Sequence, residues 1–153
     1  MSLDHLEGLG FGFAFFGLTV AVIVALPAVT FSRAAFRWAL SRQARRQDLS
    51  GPRWVSLLVL WISGVPAVYV AGLFFGLGFQ ARTLAVLAVA LLIAVSNLVH
   101  AAYCAECISR VRRDRVLVEP SFKATLRSRS IARAALVFLV FAFIEGALLV
   151  VGR

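Results

Sequence analysis

The sequence predicts an all-α integral membrane protein, a bundle of four transmembrane helices. Three observations lead to this fold class. The chain is 61% hydrophobic and only 15% charged, against about 25% charged residues in an average soluble domain. Long apolar stretches recur along it, each close to the ~20 residues that cross a bilayer. The basic residues separate these stretches, since 14 of the 16 Lys and Arg residues lie within 33–53 and 110–133.

The predicted spans occupy about residues 9–31, 54–79, 83–103 and 131–151. The first is too long for a signal peptide and has no basic residue before it, so we expect it to be retained. Only Gln80–Arg82 separate the second and third spans, which predicts a tight antiparallel hairpin. We expect residues 1–153 to form a single polytopic membrane domain without a separate soluble part.

The links 32–53 and 104–130 are basic, and basic links of this length stay in the cytoplasm. This places the N- and C-termini on the non-cytoplasmic side. Good helix formers precede Ser50-Gly51-Pro52, so the first span should continue as a helix to near Gln47. In the second link, Pro120 predicts a break. The excess of Arg over Lys and the lack of a sorting signal favour a bacterial inner membrane.

The net charge of +9 comes with no nucleic-acid recognition motif, so we expect no nucleic-acid partner. Basic links beside a bilayer attract anionic lipid headgroups, and can also bind an acidic partner protein. The arginines predicted to make these contacts are Arg42, Arg45, Arg46, Arg110, Arg112, Arg113 and Arg115.

Glu145 lies inside the fourth span, about 21 Å from its cytoplasmic end at ~1.5 Å per residue. A carboxylate at membrane depth is costly and usually faces a partner or water. Tyr69 of the second span lies at a matching depth. Glu145 therefore carries a proton or a ligand, or makes a structural hydrogen bond to Tyr69 or to a backbone carbonyl, or lies close to the outer interface.

Asn97, His100, Cys104 and Cys107 share one face of the third span, within roughly 80° of one another. One hypothesis is that His100, Cys104 and Cys107 bind a metal ion. The alternative is a polar stripe that packs on a neighbouring helix, with the cysteines acting as small apolar residues. A structural disulfide is not expected in a reducing compartment. His5 and His100 lie toward opposite ends, which excludes haem ligation within one chain, and we expect no cofactor.

Small residues at packing distance occur as Gly8-x-x-x-Gly12 and Gly72-x-x-x-Gly76. Pairs of this kind let helix backbones approach closely in a membrane. They predict helix association, either within the chain or with a partner.

Two segments resemble known families. Residues 120–126 and 141–148, with Glu145 inside the latter, are similar to the loop and carboxylate helix of the proteolipid subunits of rotary ATPases. That resemblance implies ion transport through Glu145, although the third span lacks the glycine ladder of those rings. The overall plan also resembles the small membrane glutathione transferases and leukotriene synthases, which implies an anionic thiol ligand at cytoplasmic arginines. Their Arg-x-x-x-Asn-x-x-Glu pattern is absent from the second span.

The expected function is that of a non-catalytic accessory or scaffold subunit of a larger inner-membrane complex, bound to other integral membrane subunits or to itself. Enzymes and transporters in membranes usually bring several polar groups to one depth, whereas the polar groups of this chain are divided between its outer and inner halves. Proton or ion translocation through Glu145 is the first alternative. A small membrane enzyme that binds an anionic ligand at its cytoplasmic arginines is the second.

Overall fold

The structure, a computed structural model, describes residues 3–76, 81–114 and 123–152. Within these ranges the chain forms four α-helices and no strand: α1 (Leu3–Ala44), α2 (Ser50–Gly76), α3 (Ala81–Asp114) and α4 (Lys123–Val151). Each helix contains a stretch that is long and apolar enough to cross a membrane. The predicted all-α, four-helix membrane fold is confirmed.

The helices run well past the predicted spans at the end of the bundle where α1 joins α2 and α3 joins α4, here named the basic end. The opposite end, which holds both chain termini, is named the terminal end. α3 continues past its predicted span to Asp114, and α4 begins at Lys123, before its predicted span, because the Ala, Glu and Arg residues within 104–114 and 123–130 favour helix. Much of the predicted links 32–53 and 104–130 is therefore helical. The predicted break at Pro120 lies outside the described residues.

The core between α1 and α3 is built from small side chains. Ala14, Ala21, Ala28 and Ala35 follow one another at intervals of seven residues, and all are at most 5% exposed. They contact buried residues of α3 such as Ala94 and Ala101, in three successive layers along the bundle. A strict seven-residue repeat keeps one helix face turned toward its neighbour. Small residues on that face let the two helices approach closely over most of their length.

α4 lies at the edge of the bundle. α1, α2 and α3 contact one another, whereas α4 packs on α2 and α3 and does not touch α1 in the described ranges. In its most apolar stretch only 11% of residues are buried, against 50% in α2. The contact with α2 is close, because a Cβ on Gly64 would lie 2.7 Å from Phe141 Cδ2 and 2.9 Å from Val137 Cγ1. Trp61 adds an edge-on contact to Phe141, with ring centroids 5.6 Å apart.

Candidate functional site

A polar contact between α2 and α3 lies at mid-height in the bundle. Ser63 is the central residue of α2, and Asn97 lies near the centre of α3. Asn97 Nδ2 donates to Ser63 Oγ at 3.1 Å, and Ser63 Oγ donates to the Val59 carbonyl at 2.7 Å. Both side chains are buried. Hydrogen bonds between membrane helices are worth about 0.6 kcal/mol on average, so this contact chiefly sets the register of α2 against α3.

An ion pair joins α3 to α4 toward the basic end. Arg133 Nη2 lies 3.0 Å from Glu106 Oε2, and the two side chains are 31% and 10% exposed. Arg133 Nη1 is also 3.5 Å from Ser109 Oγ. No role is predicted for Glu106 from the sequence, although it is a single acidic residue between two cysteines and close to a basic segment. The pair therefore ties α3 to α4 at this level of the bundle.

Glu145 and Tyr69 line one cavity of about 210 Å³ between α2 and α4, toward the terminal end. The rest of its lining is apolar, including Phe141 and Leu148. Glu145 is half-buried, and its Oε1 atom would lie 3.7 Å from a Cβ on Gly72. Among the described residues, none makes a hydrogen bond or an ion pair with the Glu145 carboxylate. The carboxylate is thus placed at a small cavity and is available to water, an ion or a second protein.

The face of α3 that carries the two cysteines packs into the bundle. Cys104 and Cys107 are free, buried thiols. The Cys104 Sγ atom lies 3.8 Å from His100 Nε2, one turn earlier on the same helix. In the described residues no three His, Cys, Asp or Glu side chains form a group that could hold a metal. Both cysteine side chains lie in the bundle core, as the packing alternative expects, and metal binding stays a prediction.

The turn from α1 to α2 is ordered by local contacts at the basic end. α1 ends at Ala44, three residues before the predicted end at Gln47. Arg46 adopts a left-handed conformation with φ of 54°; its N–H donates to the Gln43 carbonyl at 3.0 Å, and the Gln47 N–H donates to the Arg42 carbonyl at 2.9 Å. These two bonds form a Schellman motif, in which glycine is the usual left-handed residue.

Asp48 lies two residues before the start of α2. Its carboxylate accepts hydrogen bonds from the Ser50 backbone N–H, at 3.1 Å, and from the Ser50 hydroxyl. The side-chain bond from Ser50, followed by the backbone bond, holds the pKa of Asp48 below its ordinary value. Arg42 closes the turn from the other side, since its Nη1 atom donates to the Asp48 carbonyl at 3.0 Å and its guanidinium lies 4.7 Å from the Trp38 ring centroid.

The arginines predicted to contact lipid or a partner divide into groups. Arg42 is half-buried and bonds within the chain, as described above, and Arg110 is also half-buried. Arg115 lies outside the described residues. The remaining four are exposed at the basic end, and two of them line one polar surface cavity of about 740 Å³ together with Gln43 and Asp48. These four are Arg45, Arg46, Arg112 and Arg113, of which Arg46 and Arg112 line the cavity.

The predicted glycine pairs lie in different surroundings. Among the described residues, no atom comes within 4 Å of the position that a Cβ on Gly8, Gly12 or Gly76 would take, whereas a Cβ on Gly72 would contact Glu145 of α4. Helix association through these pairs stays a prediction. The glycine that lets α4 pack closely on α2 is Gly64, which lies next to Phe141. Gly64 is not part of either predicted glycine pair.

Comparison with known proteins gives no assignment for this site. No protein-family model, curated protein or solved structure matches the chain. Within the described residues, the three pairs of polar side chains considered above lie at separate depths and do not converge on one centre. From the terminal end to the basic end these are Glu145 with Tyr69, Asn97 with Ser63, and Glu106 with Arg133.

Proposed function

We propose that this chain is a non-catalytic accessory or scaffold subunit of a larger membrane protein complex, and that α4 is the helix that contacts its partner. The proposed location is a bacterial inner membrane, with the basic end in the cytoplasm and both termini outside. The separation of the polar groups into three depths favours a structural role, because membrane enzymes and transporters usually gather several polar groups at one level.

The observation that carries the proposal is the outer face of α4. Ala142 and Gly146 are four residues apart and line a shallow hollow of about 580 Å³ on the surface of the bundle. No atom lies within 4 Å of the position that a Cβ on Gly146 would take. Faces with small residues at this spacing are where membrane helices approach one another closely.

The test is purification of the tagged chain in mild detergent, followed by mass spectrometry of the proteins recovered with it. We expect another integral membrane protein in a fixed stoichiometric ratio. Gly146→Leu should release that partner, because the larger side chain fills the hollow.

Gly12→Leu is the matched control, since Gly12 is equally open within the chain, and it should retain the partner. A homogeneous oligomer of this chain with no other protein would refute the accessory role. Loss of the partner in Gly12→Leu with retention in Gly146→Leu would move the interface to α1.

The second candidate function is proton or ion movement through Glu145. It is favoured by the cavity that Glu145 shares with Tyr69 and by the absence of a hydrogen-bonding partner for the carboxylate among the described residues. The test is proton flux into vesicles that contain the purified chain and a pH-sensitive dye. Glu145→Gln should abolish flux while the protein still purifies as a folded species, and unchanged flux would exclude this function.

A further inference from the structure

We infer that the groove between α3 and α4 binds an anionic phospholipid from the bilayer, with its phosphate at Arg127 and one acyl chain along α3. The groove has a volume of about 560 Å³, within the ~300–1,000 Å³ that is usual for small-molecule sites. The residues that line it are Val95, Ser96, Val99, His100, Tyr103, Arg127 and Ser130. This inference does not depend on the proposed accessory role.

The groove is oriented as a lipid is in one leaflet. Its α3 residues run from Val95 to Tyr103, which is roughly 12 Å along the helix at ~1.5 Å per residue. Val95 lies at mid-height, beside Asn97, and Tyr103 lies toward the basic end. The exposed side chain of Leu92 continues the apolar surface from Val95 toward the terminal end. An acyl chain would thus follow hydrocarbon side chains from the middle of the bundle toward the interface.

The one charged residue among those that line the groove, Arg127, lies at the other end, where a headgroup would be. Arg127 is exposed, and in the described residues no side chain pairs with its guanidinium. The hydroxyl of Ser130 is already used, because it donates to the Arg127 carbonyl at 2.8 Å. A guanidinium binds a phosphate through two parallel hydrogen bonds. An exposed arginine at the basic end of an otherwise mostly apolar groove therefore complements a phosphate with a hydrocarbon tail.

His100 and Tyr103 lie between these two ends. Both are half-buried and both can donate hydrogen bonds, in a part of the groove that is otherwise apolar. The ester groups of a phospholipid lie below its phosphate and accept hydrogen bonds. With the phosphate at Arg127, an ester group would lie beside the polar edges of His100 and Tyr103, which line the groove between Arg127 and Val95.

The experiment measures lipid retained by the purified chain in native mass spectrometry, after addition of phosphatidylglycerol, of phosphatidylcholine with the same tails, or of inorganic phosphate. We expect one tightly bound phosphatidylglycerol in the wild type. Arg127→Gln should weaken its binding about tenfold, as a lost hydrogen bond to a charged group predicts. Val99→Trp should reduce the binding of both lipids, because it fills the groove.

Arg129→Gln is the matched control, since Arg129 is an equally exposed arginine on α4 that does not line the groove. It should bind phosphatidylglycerol as the wild type does. Equal losses in Arg127→Gln and Arg129→Gln would refute the inference, because they would indicate diffuse attraction to basic residues. Displacement of the lipid by inorganic phosphate alone would also refute it, since the tail would then contribute nothing.

Discussion

The ion pair between Glu106 and Arg133 allows a prediction in which a second substitution rescues the first. Glu106 is 10% exposed and Arg133 is 31% exposed, so their charges are not equally easy to hydrate once the pair is broken. Removing one member of a buried pair costs about 3–5 kcal/mol, and exposed pairs contribute about 0–1 kcal/mol. Arg133→Met leaves the more buried charge alone and should lower the free energy of unfolding by about 3 kcal/mol.

Glu106→Gln leaves only the charge of Arg133, which is more exposed and can turn toward water. This substitution should lower the free energy of unfolding by about 1–2 kcal/mol. The double variant contains no isolated buried charge and should therefore be more stable than Arg133→Met alone. The assay is SDS titration in mixed micelles, followed by tryptophan fluorescence, since Trp61 of α2 contacts Phe141 of α4. Arg129→Met is the control and should change stability by less than about 0.5 kcal/mol. Additivity of the two single costs to within about 0.5 kcal/mol would refute the coupling.

Three further predictions can be checked with the same titration. Gly64→Ala should destabilise the protein by about 1–3 kcal/mol because its Cβ overlaps α4, whereas Gly76→Ala, at an open position, should not; equal effects would contradict the close contact. A double-mutant cycle of Ser63→Ala and Asn97→Ala should give a coupling of about 0.6 kcal/mol, and a coupling of zero would exclude their hydrogen bond. The folded-state pKa of Asp48 is lowered, so its stabilisation is present above its ordinary pKa and lost as the pH falls through the folded value. From about pH 5 to about pH 2 the wild type should therefore lose more stability than Asp48→Asn does. Parallel pH profiles would show that the hydrogen bonds from Ser50 to the Asp48 carboxylate do not stabilise the protein.

Composition and charge were enough to predict the fold class, because a bilayer requires long apolar helices regardless of how those helices pack. They predicted the lengths of the helices less well. Hydropathy reports the part of a helix that lies in hydrocarbon, whereas α3 extends beyond it to Asp114. Glu106 lies beyond the predicted third span, and its partner Arg133 lies at the start of the predicted fourth span. Their ion pair depends on both helices continuing side by side at the basic end.

For the candidate site, residue spacing predicted some contacts between helices and not others. Counting residues placed Tyr69 within reach of Glu145, and both line one cavity. The seven-residue repeat that begins at Ala14 is visible in the sequence, yet the pair Gly8 and Gly12 was chosen as the packing motif. In a helix that is apolar on every side, spacing shows which residues share a face but not which face points inward.

The position of α4 has a consequence for how the protein is synthesised and assembled. The ribosome releases the chain from its N-terminus, so α1, α2 and α3 can complete their mutual contacts before α4 has left the exit tunnel. α4 then joins a core on which, in the described ranges, it contacts α2 and α3 but not α1. Of these four helices, the one made after the other three is thus the one whose exchange with a neighbouring subunit would disturb the fewest contacts already formed.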